Sequence, residues 1–199
     1  RLRNEGSWTD SARAALPTVS APNWYSILSG TGVDFHGVDS NNWRKETPRV
    51  VGIDGPCVPQ PTIFTLLRAA HPSATLGAFF EWPMLSTLIE PTASLNTTFI
   101  GSDDESVAAA ASFIARSRPE LTFVYIGEVD LTGHRHGAGD EMQAAIAAAD
   151  AQVGILLDAV EEALEKSLVL VVSDHGREDG GWDHRHFTMR EVETQAIAW

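Results

Sequence analysis

Residues 121–134 read Leu-Thr-Phe-Val-Tyr-Ile-Gly-Glu-Val-Asp-Leu-Thr-Gly-His: an apolar, aromatic and β-branched run that breaks at Gly127 into a polar segment carrying Asp130 and His134. The run has the length and composition of a buried strand, and the polar segment takes the place of the loop that follows it. Two runs of the same kind lie at 75–80 and 168–172, and the latter is followed by Ser173-Asp174-His175-Gly176. Helical patterns separate the three. Ser102, with Glu105 three residues on, forms a capping box before Val107, Ala111 and Ile114, and Pro119 closes that helix. Met142, Ile146, Ala149, Val153, Leu156 and Val160 recur at spacings of four and three, which predicts a longer amphipathic helix. A further helix is expected over 61–70, opened by Pro61. Strand, helix, strand, helix, strand predicts an α/β fold with a mainly parallel sheet sandwiched by helices.

Composition narrows the function. Among 199 residues, 14 are basic and 27 acidic, for a net charge of −13. Nucleic acid and anionic membrane surfaces need clustered Lys and Arg, so neither is expected as a partner. The aliphatic run at 168–172 is far shorter than the roughly 20 residues that cross a bilayer, and no membrane segment or signal peptide is expected within the chain. Cys57 is the only cysteine, which leaves Asp, Glu and His as metal ligands.

In α/β sheets the chemistry gathers beyond the carboxyl ends of strands. Two of the three runs are followed there by a carboxylate with an imidazole, a donor mixture that suits zinc without sulfur. A third cluster, Asp183, His184 and His186, follows. Upstream, Pro17-Thr18-Val19-Ser20-Ala21-Pro22-Asn23 leads into a segment ending at Gly30. Pro22 fits the first turn of a helix, which places Ser20 near the helix start, where unpaired N–H groups favour an anion. A serine hydroxyl needs a base or a metal to act as a nucleophile; an N-cap serine is the plainer alternative. Trp24, Trp43 and Trp82 are assigned to packing, Cys57 to a passive thiol, His71 to a helix end, and Arg135 and His136 to solvated positions.

In this order and spacing, the motifs resemble the alkaline phosphatase superfamily, in particular its type I phosphodiesterase/nucleotide pyrophosphatase branch. The resemblance covers nearly the whole chain. It implies that Ser20 is the nucleophile and that Asn23 helps hold the transferring phosphoryl oxygens, with His36 structural. It implies two zinc ions, other divalent metals being an alternative. One would be bound by Asp130, His134 and a downstream His, best matched by His184 with His186 as runner-up. The other would be bound by Asp174, His175, Ser20 and an upstream Asp. The family's first strand, ending in that Asp, has no counterpart before Ser20. Asp54-Gly55 lies on the wrong side of Ser20 and is read as a turn. The expectation is therefore a single catalytic domain over 1–199, shortened at both ends. The implied activity is hydrolysis of phosphate esters, diester or pyrophosphate preferred, through a phospho-serine, on a small phosphate ester or nucleotide. A monoesterase, sulfatase, phosphonate hydrolase or phosphomutase on the same scaffold stays open, as does an inactive homologue. The resemblance favours an extracellular or periplasmic protein.

Overall fold

The computed structural model describes residues 1–44 and 60–199; the Asp54-Gly55 turn and Cys57 lie outside the described residues. In chain order the elements are α1 (Leu2–Glu5), β1 (Ser7–Arg13), α2 (Ser20–Ser29), α3 (Val33–His36), α4 (Ile63–Ala70), β2 (Leu76–Phe80), α5 (Leu85–Leu88), a 3-10 turn (Pro91–Ala93), β3 (Thr97–Ile100), α6 (Asp103–Ser117), β4 (Leu121–Val124), α7 (Glu128–His136), α8 (Asp140–Ala163), β5 (Leu170–Val172), α9 (Met189–Val192) and β6 (Glu193–Ala198). The chain resolves into two compact units, residues 64–167 and residues 1–63 with 168–199.

The unit formed by 64–167 holds a parallel sheet of order β3-β2-β4, with Ala78 opposite both Thr98 and Phe123. All five residues of β2 are buried. A central parallel strand must be apolar on both faces, which explains the unbroken run in the sequence. Phe79, Ala110 and Phe113 form its core, with Phe99, Val124 and Leu156 packed against them. A Cβ at Gly77 would collide with the Phe113 ring, so glycine here lets α6 approach the strand. The Ser102–Glu105 capping box is formed as expected, and the helix runs 15 residues.

The other unit is built on an antiparallel sheet of order β1-β6-β5, in which β6 is the middle strand. Two of these strands differ from the sequence-based expectation: β5, read from its apolar run as buried, leaves Leu170 and Val172 exposed, and β1 has no apolar run at all. Ser7–Arg13 reads as polar and stays mostly exposed; its strand character comes from main-chain pairing with β6, not from burial. The expected parallel arrangement therefore holds for β3-β2-β4 and not for β1-β6-β5.

Helix α8 is the one described helix long and apolar enough, by length and composition, to cross a membrane, a feature the sequence-based expectation omitted. Asp150 and Asp158 lie within it, each costing roughly 3 kcal/mol at a bilayer centre. Met142, Leu157 and Val160 are buried on one side of the helix, whereas Ile146, which the spacing places on the same stripe, is exposed.

Candidate functional site

Helix α2 runs over Ser20–Ser29 and is capped by Gly30, whose φ of 67° closes it in the left-handed conformation. Ser20 is thus the first helical residue, after Val19 as N-cap, and its side chain makes no capping bond. Its Oγ instead lies 3.2 Å from His175 Nε2. Asp174 Oδ2 lies 3.3 Å from the same ring nitrogen. Three sequence-predicted residues, Ser20, Asp174 and His175, therefore meet at one point.

His184 adjoins these three residues. It is 1% exposed, and its ring stacks on that of His175 with centroids 3.6 Å apart at 15°. Both imidazoles are held through Nδ1: that of His184 donates to the Thr18 carbonyl at 2.8 Å, and that of His175 to the Gly176 carbonyl at 3.0 Å. Each ring therefore keeps the lone pair on Nε2, the arrangement that a metal-binding imidazole adopts. His186, the alternative to His184, is half exposed and turned to Glu191 through Nδ1 at 3.0 Å.

Asp130 and His134 sit on α7, in the unit formed by 64–167. The sequence reads as a loop here, whereas the structure has a helix. A spacing of four then places both side chains on one face, Asp130 Oδ2 3.5 Å from His134 Nε2. The start of α7 is pinned by Asp103, a buried carboxylate that accepts the N–H groups of Gly127 at 3.0 Å and Glu128 at 2.8 Å. Glu81 stands close by. Burial pushes its carboxyl above the usual range, with Asp103, Glu128 and Asp130 adding to the effect and Arg135 opposing it.

The donors suit a divalent metal. Two ligands bound at about 2.0 Å with tetrahedral angles stand about 3.3 Å apart. The carboxylate–imidazole separations of 3.3 Å and 3.5 Å, and the Ser20–His175 separation of 3.2 Å, match that spacing. Imidazole and carboxylate donors without sulfur suit first-row divalent metals, zinc among them.

Asn23 is placed differently from expectation. Its Nδ2 donates to the carbonyls of Pro17 and Val19, both at 3.0 Å, and its Oδ1 accepts the Ala15 N–H at 2.6 Å. Both amide hydrogens are spent on fastening the loop before Ser20. The helix start is also less open than the sequence suggests: Pro22 has no N–H, the Ala21 N–H goes to Asn41 Oδ1 at 2.8 Å, and that of Asn23 to the Val19 carbonyl at 3.3 Å. Asn41 is a residue that sequence reasoning missed. Its amide is tied to the start of α2 through Oδ1, which leaves Nδ2 as its donor. The only signal was its position five residues after His36, itself buried, with Nδ1 accepting the Val38 N–H and Nε2 donating to Ser26. A cavity of about 290 Å³ opens beside Asn23 and Asp174, near the lower end of ligand-pocket sizes.

Comparison with known proteins bears on this constellation. The family described as type I phosphodiesterase/nucleotide pyrophosphatase matches residues 1–197. The chain belongs to that family. Mouse ectonucleotide pyrophosphatase/phosphodiesterase family member 1 is 29% identical over 201 residues, covering 90% of this chain and 21% of its own length. In fold, the chain is similar to an inactive form of murine ectonucleotide pyrophosphatase/phosphodiesterase 5 in complex with AMP, with a TM-score of 0.60 at 22% identity, covering 85% of this chain and 48% of that one. It is also similar to a 2-O GAG sulfatase, with a TM-score of 0.74 at 12% identity, covering 99% and 57%. The chain thus spans about a fifth of the curated family member and about half of each solved chain.

Proposed function

We propose that the chain is a metal-dependent hydrolase of phosphate esters, diester or pyrophosphate bonds preferred, with residues 1–199 acting as one catalytic domain. The observation that carries the proposal is the convergence of Ser20 Oγ, His175 Nε2 and Asp174 Oδ2, with Nδ1 of both His175 and His184 bonded to carbonyl oxygens. Following the family resemblance, Asp130, His134 and His184 would hold one zinc, and Asp174, His175 and Ser20 would share in the other. Cations bound there would favour the Ser20 alkoxide and neutralise charge on the phosphoryl and leaving oxygens. Ser20 Oγ attacks phosphorus as the bond to the leaving oxygen breaks; water then cleaves the phospho-serine and restores the hydroxyl. Asn23 keeps the loop in place for this attack, and Asn41 Nδ2 meets charge on the phosphoryl oxygens. A nucleotide is the favoured substrate class, supported by the names of the family relatives and by the AMP complex of the murine protein.

The 3.2 Å contact between Ser20 and His175 supports a second reading, in which His175 acts as a general base without metal. A chelator separates the two. Turnover of a bis(nitrophenyl) phosphate by the full chain is expected to stop with 1,10-phenanthroline and to return with zinc. Ser20→Ala is expected to lower it by at least about a thousandfold. Turnover that survives chelation selects the second reading, and unchanged turnover in Ser20→Ala removes Ser20 from the reaction. Parallel rates on nitrophenyl phosphate and nitrophenyl sulfate test the monoesterase and sulfatase alternatives.

A further inference from the structure

Glu191 is fully buried, yet it is a carboxylate that no step above uses. Its side chain accepts the main-chain N–H of His186 at 2.9 Å and of Thr188 at 3.0 Å, together with the His186 ring Nδ1 at 3.0 Å. The Thr18 hydroxyl, two residues before Ser20, approaches it at 3.5 Å. Its own carbonyl accepts the Gly176 N–H at 2.7 Å, directly after His175. A Cβ at Gly176 would collide with the Arg190 carbonyl, so this glycine is what allows the two main chains to meet. One residue thus touches the loop that carries Ser20, the loop that carries Asp174 and His175, and the loop that carries His184.

We propose that Glu191 is a positioning residue that sets Ser20, His175 and His184 in register with one another. The proposal rests on the assignment of those three residues to the reaction. It acts through main chain. Glu191 holds the 186–188 turn, which fixes where His184 presents its ring, and His184 in turn holds the Thr18 carbonyl at 2.8 Å, two residues from the nucleophile. Losing the carboxylate would let the rings of His175 and His184 drift apart without touching any reacting atom. Outer-shell partners of this kind are worth about 10- to 100-fold in activity or metal affinity.

The plainer role for Glu191 is that of a helix cap, because Thr188 and Glu191 also form a capping box at α9. Two variants of the full chain separate the roles. Glu191→Gln keeps the volume and removes the charge; Thr188→Ala removes the cap hydroxyl and leaves the N–H groups that Glu191 binds. Positioning predicts that Glu191→Gln lowers kcat about 10- to 100-fold with KM within about twofold, while Thr188→Ala stays near wild type. Equal losses in both variants, or wild-type kcat in Glu191→Gln, overturn the proposal. A second readout uses metal-free protein and needs no turnover: imidazole ¹⁵N NMR is expected to show His184 as a protected Nδ1–H tautomer in wild type and Thr188→Ala, with protection lost in Glu191→Gln. Unchanged protection in Glu191→Gln overturns the proposal even where activity is absent. An inactive wild type would instead count against the assigned reaction. Should Glu191→Gln fail to fold, Glu191→Asp retains the charge but retracts it by one methylene, and the same losses are expected; wild-type values there overturn the proposal.

Discussion

Two carboxylates show how neighbours decide the state of a residue. For Glu191, burial works to push the carboxyl up, but the N–H groups of Thr188 and His186 and the His186 ring outweigh it and hold the group below the usual glutamate value. For Glu81, burial and the like charges of Asp103, Glu128 and Asp130 act in the same direction, against Arg135 alone, and the carboxyl is pushed up. A carboxyl whose folded pKa is raised contributes stability below its unfolded value, lost as pH rises through the folded value. At neutral pH the Glu81 carboxylate therefore works against folding. Glu81→Gln is expected to raise the thermal midpoint of metal-free protein at pH 7, with the advantage shrinking as pH falls toward the ordinary glutamate range. A midpoint that falls at pH 7, or a gain that persists in acid, would show that the local charge balance differs from this account. The same dependence on neighbours limits what a sequence discloses at this scale. Asn23 stands at the expected place in its motif, but only the structure shows both its amide hydrogens taken by Pro17 and Val19.

Elements were most legible where a local rule and the burial pattern agreed. The segment 102–119 has a capping box, an apolar stripe and a closing proline, and it forms α6 with its box intact. The apolar runs became β2, β4 and β5, of which β2 alone is buried throughout, while β4 is half-buried and β5 mostly exposed. Legibility failed where the stabilising partner is distant in sequence. Ser7–Arg13 is a strand because β6, nearly two hundred residues on, supplies the pairing. The polar stretch Glu128–His136 is a helix whose first turn is secured by Asp103 from α6, and that helix is what brings Asp130 and His134 onto one face. The cap of α6 offers a direct test at this scale. Ser102 Oγ accepts the Glu105 N–H, and the Glu105 side chain returns to the Ser102 hydroxyl and N–H, which hold its carboxyl below the usual value. Ser102→Ala is expected to cost about 1 kcal/mol, a fall in thermal midpoint of roughly 2–4 °C. A lowered carboxyl contributes stability above its unfolded pKa and loses it as pH falls through the folded value, so the gap between wild type and variant is expected to narrow in acid. No change at pH 7 would mean that packing of α6 on β2 holds this helix without its cap.

For the whole molecule the question is what a net charge of −13 is for. A surplus of carboxylates attracts any divalent cation by charge alone, and such binding is weak, shared among metals and screened by salt. The proposed site makes a sharper demand, because half its donors are imidazole nitrogens, which suit zinc and not the hard, oxygen-seeking calcium ion. Both kinds of binding raise stability by mass action, but with different selectivity. For each site that binds only the folded state, free zinc at a hundredfold excess over its Kd is expected to add about 2.7 kcal/mol, roughly 5–10 °C in thermal midpoint for a chain of this size. Calcium at the same concentration is expected to give only a small, salt-sensitive shift. His175→Ala should remove part of the zinc effect and leave the calcium effect untouched, because the formal charge hardly changes while a nitrogen donor is lost. Equal shifts with the two metals, or a zinc shift indifferent to His175, would make the acidity a diffuse cation-attracting surface. A zinc-selective shift that depends on His175 would tie it to a metal centre built from Asp and His.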